Sequence, residues 1–292
     1  MIPTSVTPLT NGKFPVLISY AYARADEAMF ERFAERDDVE LLLDCGAFTA
    51  LNAGKPIDLA EYMEFLRRWR SRLFGYLALD VVGNPAATEE NLATMLDADL
   101  RPIPVHVRGD GQERMDELFE LSDWIACGGL RRPHAGHCQK AYVKQKMVWA
   151  AGRNVHWLGY TNHAMVRAFQ PYSCDCSNLS EGYRFGNITI YLGSGMWSNR
   201  GKRIYGGLDK PFTKQEAAAI ERSGLTIEAF RDQAKLADRS ILINPIAYIT
   251  AWSWCSFAVE MARRVGTRVF MACESPRPHE TDLLLQLIER TK

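Results

Sequence analysis

Solidly apolar, strand-like runs, each followed by a helical pattern, recur along most of this chain. Runs that are apolar throughout, without alternation, are typical of parallel strands covered by helices on both faces of the sheet. The predicted strands are Val16–Tyr22, Val39–Phe48, Phe74–Val82, Pro102–Val107, Trp124–Cys127, Val155–Tyr160 and Tyr172–Cys176. This many consecutive units favour a closed, TIM-type (β/α)8 barrel over an open sheet.

Two apolar runs compete for the position of the eighth strand. We place it at Val269–Ala272, and Ile188–Leu192 is the competing choice. With the first choice, residues 194–240 are a C-terminal insertion or extension that carries a basic segment. No linker or low-complexity tract divides the sequence, so we expect a single barrel domain over residues 1–292.

Composition and charge restrict the classes of protein that this chain can belong to. Lys plus Arg and Asp plus Glu both number 35, so any nucleic-acid surface must be local. The odd number of cysteines, seven, and the lack of a signal-peptide pattern predict a cytoplasmic location. The uncharged stretch Ile241–Val259 is nearly long enough to span a membrane, but Asn244 and Pro245 near its start favour a buried core helix, and we expect no membrane partner.

Three aspartates follow predicted strands directly. Asp44 follows three leucines, Asp80 repeats the pattern one unit later, and Asp175 ends the seventh strand. The carboxyl ends of the strands form the active-site mouth of such barrels. Placing an ionised carboxylate beside buried leucines costs free energy, so such a residue is expected to have a function. A helix cap is the alternative for Asp44, but the next helix is predicted to begin only after Asp58. The pattern therefore indicates an enzyme site with Asp44 and Asp175 as its central pair.

Paired glycines end the fifth predicted strand, in Cys127-Gly128-Gly129-Leu130. Glycines allow a ligand to approach backbone N–H groups closely, although a tight turn explains them equally well when they are taken alone.

Six short motifs in a fixed order resemble the tRNA-guanine transglycosylase superfamily, and most closely its phage and bacterial members that insert 7-deazaguanines into DNA. The resemblance covers Leu41 to Asn178. The motifs are Asp44-Cys45-Gly46-Ala47-Phe48, Leu79-Asp80-Val81-Val82, Val105-His106-Val107-Arg108-Gly109-Asp110, Cys127-Gly128-Gly129-Leu130, Trp157-Leu158-Gly159-Tyr160 and Cys174-Asp175-Cys176. Each motif alone is weak, and their order is what makes the resemblance specific.

The resemblance implies a role for each matched position. Asp175 corresponds to the nucleophile, Asp44 to the general acid and base, and Asp80 to the aspartate that binds the guanine edge. The backbone donors to the base correspond to Gly128, Gly129 and Leu130. The pair of side chains that sandwiches the base corresponds to Phe48 and Leu158, and Gly159 follows Leu158 in the same substrate-binding motif. Arg108 or His106 stands where the family carries a glutamine, Cys45 replaces the usual serine and Ala47 a glycine.

The implied reaction exchanges guanine in DNA for a 7-deazaguanine, 7-cyano-7-deazaguanine (preQ0) in the resembling enzymes, through a covalent aspartyl intermediate. Such enzymes work in the cytoplasm of a bacterium or of a phage-infected host. The alternatives are a tRNA-guanine transglycosylase, a barrel hydrolase of nucleosides or glycosides that uses the same carboxylates, and a non-catalytic nucleic-acid-binding subunit. The presence of both Asp44 and Asp175 argues against the last of these.

The partners expected from this reading are DNA and a free 7-deazaguanine base. Local basic segments supply the expected nucleic-acid contacts, namely Arg131 and Arg132 after the fifth strand and Lys202 and Arg203 beside Tyr205. The zinc motif of the tRNA enzymes is not found, so we expect no metal or cofactor. His134, His137 and Cys138 lie close together in the sequence and are a candidate for a structural zinc site, but solvated side chains on a loop are the favoured interpretation.

Overall fold

The computed structural model describes residues 12–130, 139–238, 244–273 and 278–290. Its strands are β1 (Phe14–Ser19), β2 (Val39–Asp44), β3 (Gly75–Tyr76), β4 (Val105–His106), β5 (Trp124–Cys127), β6 (Asn154–Trp157), β7 (Ser173–Cys176), β8 (Asn187–Gly193), β9 (Met196–Lys202) and β10 (Arg268–Cys273). Eight of them, all except β8 and β9, form one parallel sheet in the order β3-β2-β1-β10-β7-β6-β5-β4.

The two end strands of that order meet and close the sheet into a barrel. A parallel bridge joins Leu77, just after β3, to Ile103, just before β4. Two backbone hydrogen bonds support it, from Ala78 N–H to Ile103 O at 2.9 Å and from Ile103 N–H to Tyr76 O at 2.7 Å. The chain therefore has the predicted (β/α)8-type architecture, and β10 confirms the eighth strand at Val269–Ala272.

Helices alternate with the barrel strands along the chain. They are α1 (Tyr20–Ala23), α2 (Glu27–Ala34), α3 (Ala47–Ala53), α4 (Leu59–Trp69), α5 (Pro85–Asp97), α6 (Gln112–Leu121), α7 (Gln139–Ala150), α8 (His163–Phe169), α9 (Glu181–Phe185), α10 (Lys214–Arg222), α11 (Gln233–Ala237), α12 (Pro245–Val265) and α13 (Pro278–Glu289). Asp58, Asn84 and Asn162 cap α4, α5 and α8, each by accepting the backbone N–H of the third residue of its helix.

The second strand is shorter than the run Val39–Phe48 predicted. It ends at Asp44, and α3 begins at Ala47, so the prediction that the next helix begins only after Asp58 is wrong. Gly46 makes the turn with φ of +84°, and a Cβ there would lie 2.8 Å from Ser19 Oγ and 2.9 Å from Ala21 N. Only glycine fits this position, and the tight turn places α3 directly over the end of β2.

Successive side chains on the barrel strands alternate between the interior and the layer of helices. The apolar interior cluster consists of Leu17, Leu42, Leu77, Ile103, Val105, Ala126, Phe270 and Ala272. Leu41, Leu43, Cys174 and Cys176 pack instead into the larger core between the barrel and the helices. The inward positions at the ends of β2 and β7 are therefore Asp44 and Asp175.

Aromatic rings and an ion pair fill the opposite, amino-terminal end of the barrel. The Phe74 and Trp124 ring centroids are 5.5 Å apart, and those of Trp124 and Tyr172 are 5.1 Å apart. The Arg268 guanidinium lies over both Phe74 and Tyr172 and pairs with Glu40 at 3.1 Å. This packing leaves the carboxyl ends of the strands as the face for a site.

The segment between β7 and α12 forms an extension with its own small core. The antiparallel pair β8 and β9 packs on α12, and Ile188 and Ile190 lie in a cluster with Ile220, Phe230 and Ile249. Ile188–Leu192, the competing choice for the eighth strand, thus belongs to this extension. The extension also begins before residue 194, because the whole β8–β9 pair lies in it.

The stretch Ile241–Val259 contributes most of α12, which is a core helix as predicted. Its residues are buried from Pro245 to Ala251 and at most positions up to Met261. None of the described helices is both long enough and apolar enough to cross a bilayer.

Candidate active site

The barrel brings the three predicted aspartates together at its mouth. Asp44 ends β2, Asp175 is the third residue of β7, and Asp80 lies four residues after the end of β3. The negative charges of Asp80 and Asp175 are close enough to Asp44 to raise the pKa of its carboxyl group. Strands distant in sequence thus deliver three carboxylates to one mouth, as their strand-end positions required.

The surroundings of the Asp44 carboxyl group change its proton affinity. Burial, and then repulsion from Asp80 and Asp175, raises its pKa to about 7, although the backbone N–H of Gly46, which donates to Oδ2 at 3.0 Å, and the Ser19 hydroxyl oppose this rise. A carboxyl group that is half protonated near neutral pH is suited to donating and accepting a proton.

Asp80 is held by the residue that follows Asp44. The Cys45 thiol is fully buried and donates a hydrogen bond to Asp80 Oδ1 at 3.0 Å. Burial raises the pKa of the Asp80 carboxyl, while the thiol hydrogen bond lowers it. Cys45 therefore orients Asp80, and its own side chain has no exposed surface to offer a ligand.

Asp175 is fixed through one carboxylate oxygen. Oδ1 accepts the backbone N–H of Gly159 at 2.6 Å and faces His156 Nε2 at 3.2 Å. Among the described residues no hydrogen bond reaches Oδ2. The Asp175 side chain is 9% exposed, so this second oxygen is the one available to a reacting group.

His156 and Ser173 are polar residues of the site that the sequence reasoning did not identify. Both are fully buried, and His156 Nδ1 lies 2.9 Å from Ser173 Oγ. The signal was present in the sequence, because in Asn154-Val155-His156-Trp157-Leu158 the histidine shares the strand face of Leu158. A histidine inside an otherwise apolar strand stands out once that face is known to be the barrel interior.

A cavity of about 160 Å³ lies against Asp175. Its lining includes Gly159, Thr161, Asn162 and Ser177, whereas Asp44 and Asp80 lie outside that lining. Ligand pockets are commonly about 300–1,000 Å³, so a nucleotide and a base require more room than this cavity provides.

A larger cavity of about 520 Å³ lies between α5 and α6. Three glutamates, Glu89, Glu113 and Glu117, line it, together with Arg114, which pairs with Glu89 and Glu117. None of the three aspartates is part of its lining. Its acidic walls are unsuited to phosphate groups.

The three residues predicted as backbone donors, Gly128, Gly129 and Leu130, differ in exposure and in hydrogen bonding. The backbone N–H of Gly128 donates to His106 O at 3.0 Å, and Leu130 is fully buried in the outer core. Gly129 is exposed with φ of +72°, and a Cβ there would lie 2.7 Å from the Arg108 Cβ. The turn therefore packs beneath the stem of Arg108, and Gly129 is the member of the pair that reaches the surface.

His106 does not join the aspartates. It alternates with the interior residue Val105, so its ring lies on the helix side of β4. There Nδ1 accepts from the buried Lys146 ammonium at 3.2 Å, and Nε2 donates to Gly111 O at 3.0 Å. Burial and the Lys146 charge lower the pKa of His106 to about 4, and burial lowers that of Lys146 to about 8. With both ring nitrogens occupied, His106 is unsuited to binding a base.

Phe48 and Leu158 lie at opposite depths of the mouth. Phe48 is 64% exposed on α3, whereas Leu158 packs against the interior cluster.

Two of the predicted nucleic-acid contacts are described, and both belong to the extension. The Lys202 ammonium lies 5.8 Å from the centroid of the Phe185 ring. Arg203 donates to Leu236 O at 2.8 Å and to Gln233 Oε1 at 2.9 Å, which braces the turn carrying Ile204 and Tyr205. Arg131 and Arg132 lie outside the described residues.

The braced turn lies on the same side of the molecule as the aspartates. The C-terminal end of α12 leads into the start of β10, so its N-terminal end lies towards the carboxyl ends of the strands. Thr250, in the first half of α12, donates to Asn187 O at 3.1 Å, and Asn187 pairs with Lys202. Ile204 and Tyr205, which are 78% and 79% exposed, are thus presented on the mouth side.

Metal-binding side chains do not cluster in the part of the chain that the structure describes, where no group of three or more His, Cys, Asp or Glu could hold an ion. Cys174 and Cys176 are buried in the outer core on the side of β7 away from Asp175. The candidate group His134, His137 and Cys138 lies outside the described residues.

Comparisons with models of protein families, with curated proteins and with solved structures find no match.

Proposed function

We propose that this protein is a base-exchange transglycosylase, which replaces guanine in DNA with a 7-deazaguanine through a covalent intermediate on Asp175. One observation carries the proposal. Two neighbouring carboxyl groups have different surroundings, since Asp44 has a pKa of about 7 and Asp175 is held by two donors on a single oxygen. Paired carboxyl groups with distinct roles are what retaining chemistry at a sugar C1′ requires.

The first half-reaction forms a sugar ester. Asp175 Oδ2 attacks C1′ of the flipped nucleotide, the bond from C1′ to guanine N9 breaks, and protonated Asp44 gives its proton to the leaving guanine. In the second half-reaction, Asp44 takes the N9 proton of the incoming 7-deazaguanine. N9 then attacks C1′ and displaces Asp175, so two inversions restore the sugar configuration.

Base recognition is assigned to the residues around the aspartates. Asp80, oriented by Cys45, receives the donor edge of the guanine. Phe48 and Leu158 hold the two faces of the ring, with Gly129 and Gly159 at its edge. The small cavity against Asp175 must widen to admit a nucleotide, and we assign this movement to α3, in which only Ala50 is buried.

DNA is supported as the acceptor by the character of the turn on the mouth side. Lys202 and Arg203 directly precede the exposed Ile204 and Tyr205, and basic side chains beside an exposed ring suit phosphate contact together with base stacking. The nucleotide has to leave the stack to reach the aspartates, which costs a few kcal/mol in a duplex. The resemblance to the DNA-modifying branch rests on the six motifs and agrees with this assignment.

The deciding experiment is a competition between acceptors. Purified protein receives guanine-containing DNA and unmodified tRNA together with 7-cyano-7-deazaguanine, and the nucleosides of each are analysed after digestion. We expect the modified nucleoside in DNA and none with the Asp175→Asn variant. Incorporation into tRNA alone would overturn the acceptor, and release of guanine without incorporation would indicate a hydrolase.

A further inference from the structure

A buried histidine lies beside Asp175 in the barrel interior. His156 has no exposed surface, and its ring centroid is 6.0 Å from that of Phe270 and 6.3 Å from that of Trp124. Polar atoms in such apolar surroundings are costly unless hydrogen bonds satisfy them. Both ring nitrogens of His156 have polar partners, Asp175 on one side and Ser173 on the other.

The chemistry of the two partners defines the tautomer of the ring. Asp175 Oδ1 already accepts the Gly159 N–H at 2.6 Å, so it is an acceptor, and Nε2 carries the proton that it donates to this oxygen across 3.2 Å. Nδ1 is then an acceptor, and the Ser173 hydroxyl donates to it across 2.9 Å. Ser173 and His156 are register partners on neighbouring strands, so the sheet itself fixes this hydrogen-bond chain.

From this chain we infer that His156 is a positioning residue that holds Asp175 in the orientation needed for attack, and that Ser173 sets the His156 tautomer. Together with the Gly159 N–H, the imidazole restrains Oδ1, and Oδ2 is left to face the reacting carbon. The kinetic consequence rests on the proposed function, whereas the hydrogen-bond chain does not. Displacing the nucleophile lowers the reaction rate, since a shift of about 1 Å can reduce the rate on the order of 10²-fold.

The kinetic test compares two substitutions at the same position. His156→Leu removes the donor and keeps an apolar side chain in the interior, whereas His156→Gln supplies an amide N–H where Nε2 stood. We expect the leucine variant to lose on the order of 10²-fold in kcat with little change in KM for the acceptor. The glutamine variant should recover most of that loss, and Ser173→Ala should fall between wild type and His156→Leu. Thermal unfolding verifies that each variant is folded.

A spectroscopic test needs no activity. In protein labelled with ¹⁵N-histidine, the His156 signals, assigned from His156→Gln, should show a proton on Nε2 that exchanges slowly with water. Asp175→Ala should shift that resonance and speed its exchange.

The outcomes separate the two proposals. A folded His156→Leu variant with wild-type kcat, or a His156 spectrum unchanged by Asp175→Ala, would overturn the positioning role. If the wild-type protein exchanges bases on no acceptor, the proposed function fails, and the spectrum alone decides whether His156 holds Asp175.

Discussion

Asp175 Oδ1 accepts the backbone N–H of Gly159 at 2.6 Å, so the loop that follows β6 restrains the carboxylate at the end of β7. Asp44, on β2, reaches the same mouth from the other side of β1 and β10. The two carboxyl groups therefore come from strands that are separated by two others in the sheet, and each is held by a different backbone turn, that of Gly159 or that of Gly46.

The Asp175→Asn variant should fold normally and lose base exchange by several orders of magnitude, because an amide cannot form the covalent intermediate. Its Oδ1 can still accept the Gly159 N–H, which preserves the local geometry. The measurement is incorporation of labelled guanine into DNA, with circular dichroism as the control for folding. Near-normal incorporation would remove Asp175 from the mechanism.

The Asp44→Asn variant should lose about 10²–10⁴-fold in turnover, because the proton donor to the leaving base is removed. It should also change the dependence of stability on pH. The folded-state pKa of about 7 lies above the usual 3.8, so the wild-type protein loses stability as pH rises from 3.8 to about 7. The variant lacks this loss, and we expect it to be the more stable protein at pH 8 by a few kcal/mol.

Urea unfolding of both proteins at pH 5 and pH 8 measures this difference. In the wild-type enzyme, kcat/KM should fall above about pH 7 as Asp44 loses its proton. An Asp44→Asn protein with wild-type activity and reduced stability at every pH would assign Asp44 a structural role.

The Asp80→Ala variant should discriminate less between guanine-like and other bases, because a buried hydrogen-bond acceptor is lost. The loss of one such bond to a charged group corresponds to about 1.5–3 kcal/mol, seen in the ratio of kcat/KM values. Cys45→Ser is the matched control, since its hydroxyl can replace the thiol that donates to Asp80. Unchanged discrimination in Asp80→Ala would place the guanine edge elsewhere.

The Phe48→Ala variant should bind the free base about 1–3 kcal/mol more weakly, because the ring loses a stacking surface. Its stability should barely change, since the side chain is 64% exposed. Leu51→Ala is a matched control, because Leu51 is 57% exposed on the same helix. Calorimetric titration with 7-cyano-7-deazaguanine measures the effect, and an equal loss in both variants would contradict a specific role for Phe48.

The Tyr205→Ala variant should weaken binding to single-stranded DNA by about 1–3 kcal/mol through lost stacking. Wild-type affinity should also fall steeply with salt, and Lys202→Ala should make that dependence shallower. Leu121→Ala is the control, because Leu121 is 51% exposed at the end of α6, away from the mouth. Fluorescence anisotropy at several salt concentrations measures the affinity for DNA. Equal affinities of the Tyr205→Ala and Leu121→Ala variants would contradict a role for Tyr205 in DNA binding.

The sequence by itself determined the architecture and the central carboxyl groups. Continuous apolar runs separated by helices indicated a parallel sheet covered on both faces, and their number favoured a closed barrel over an open sheet. Asp44, Asp80 and Asp175 follow predicted strands, and in a barrel the ends of the strands converge. Asp58 was readable as the start of α4 because the capping hydrogen bond is local. Local patterns also distinguished the core helix α12 from a membrane span.

Only the tertiary structure decided which side chains of each strand point towards the site. Strand alternation turned His106 towards Lys146 and His156 towards Asp175, and a shift of one residue would have exchanged these roles. The tertiary structure also decided that the Cys45 thiol donates to Asp80, that Leu130 is buried in the outer core, and that Arg203 braces the turn carrying Ile204 and Tyr205. These contacts join residues far apart in sequence, and their geometry depends on the register and closure of the barrel, which no local pattern encodes.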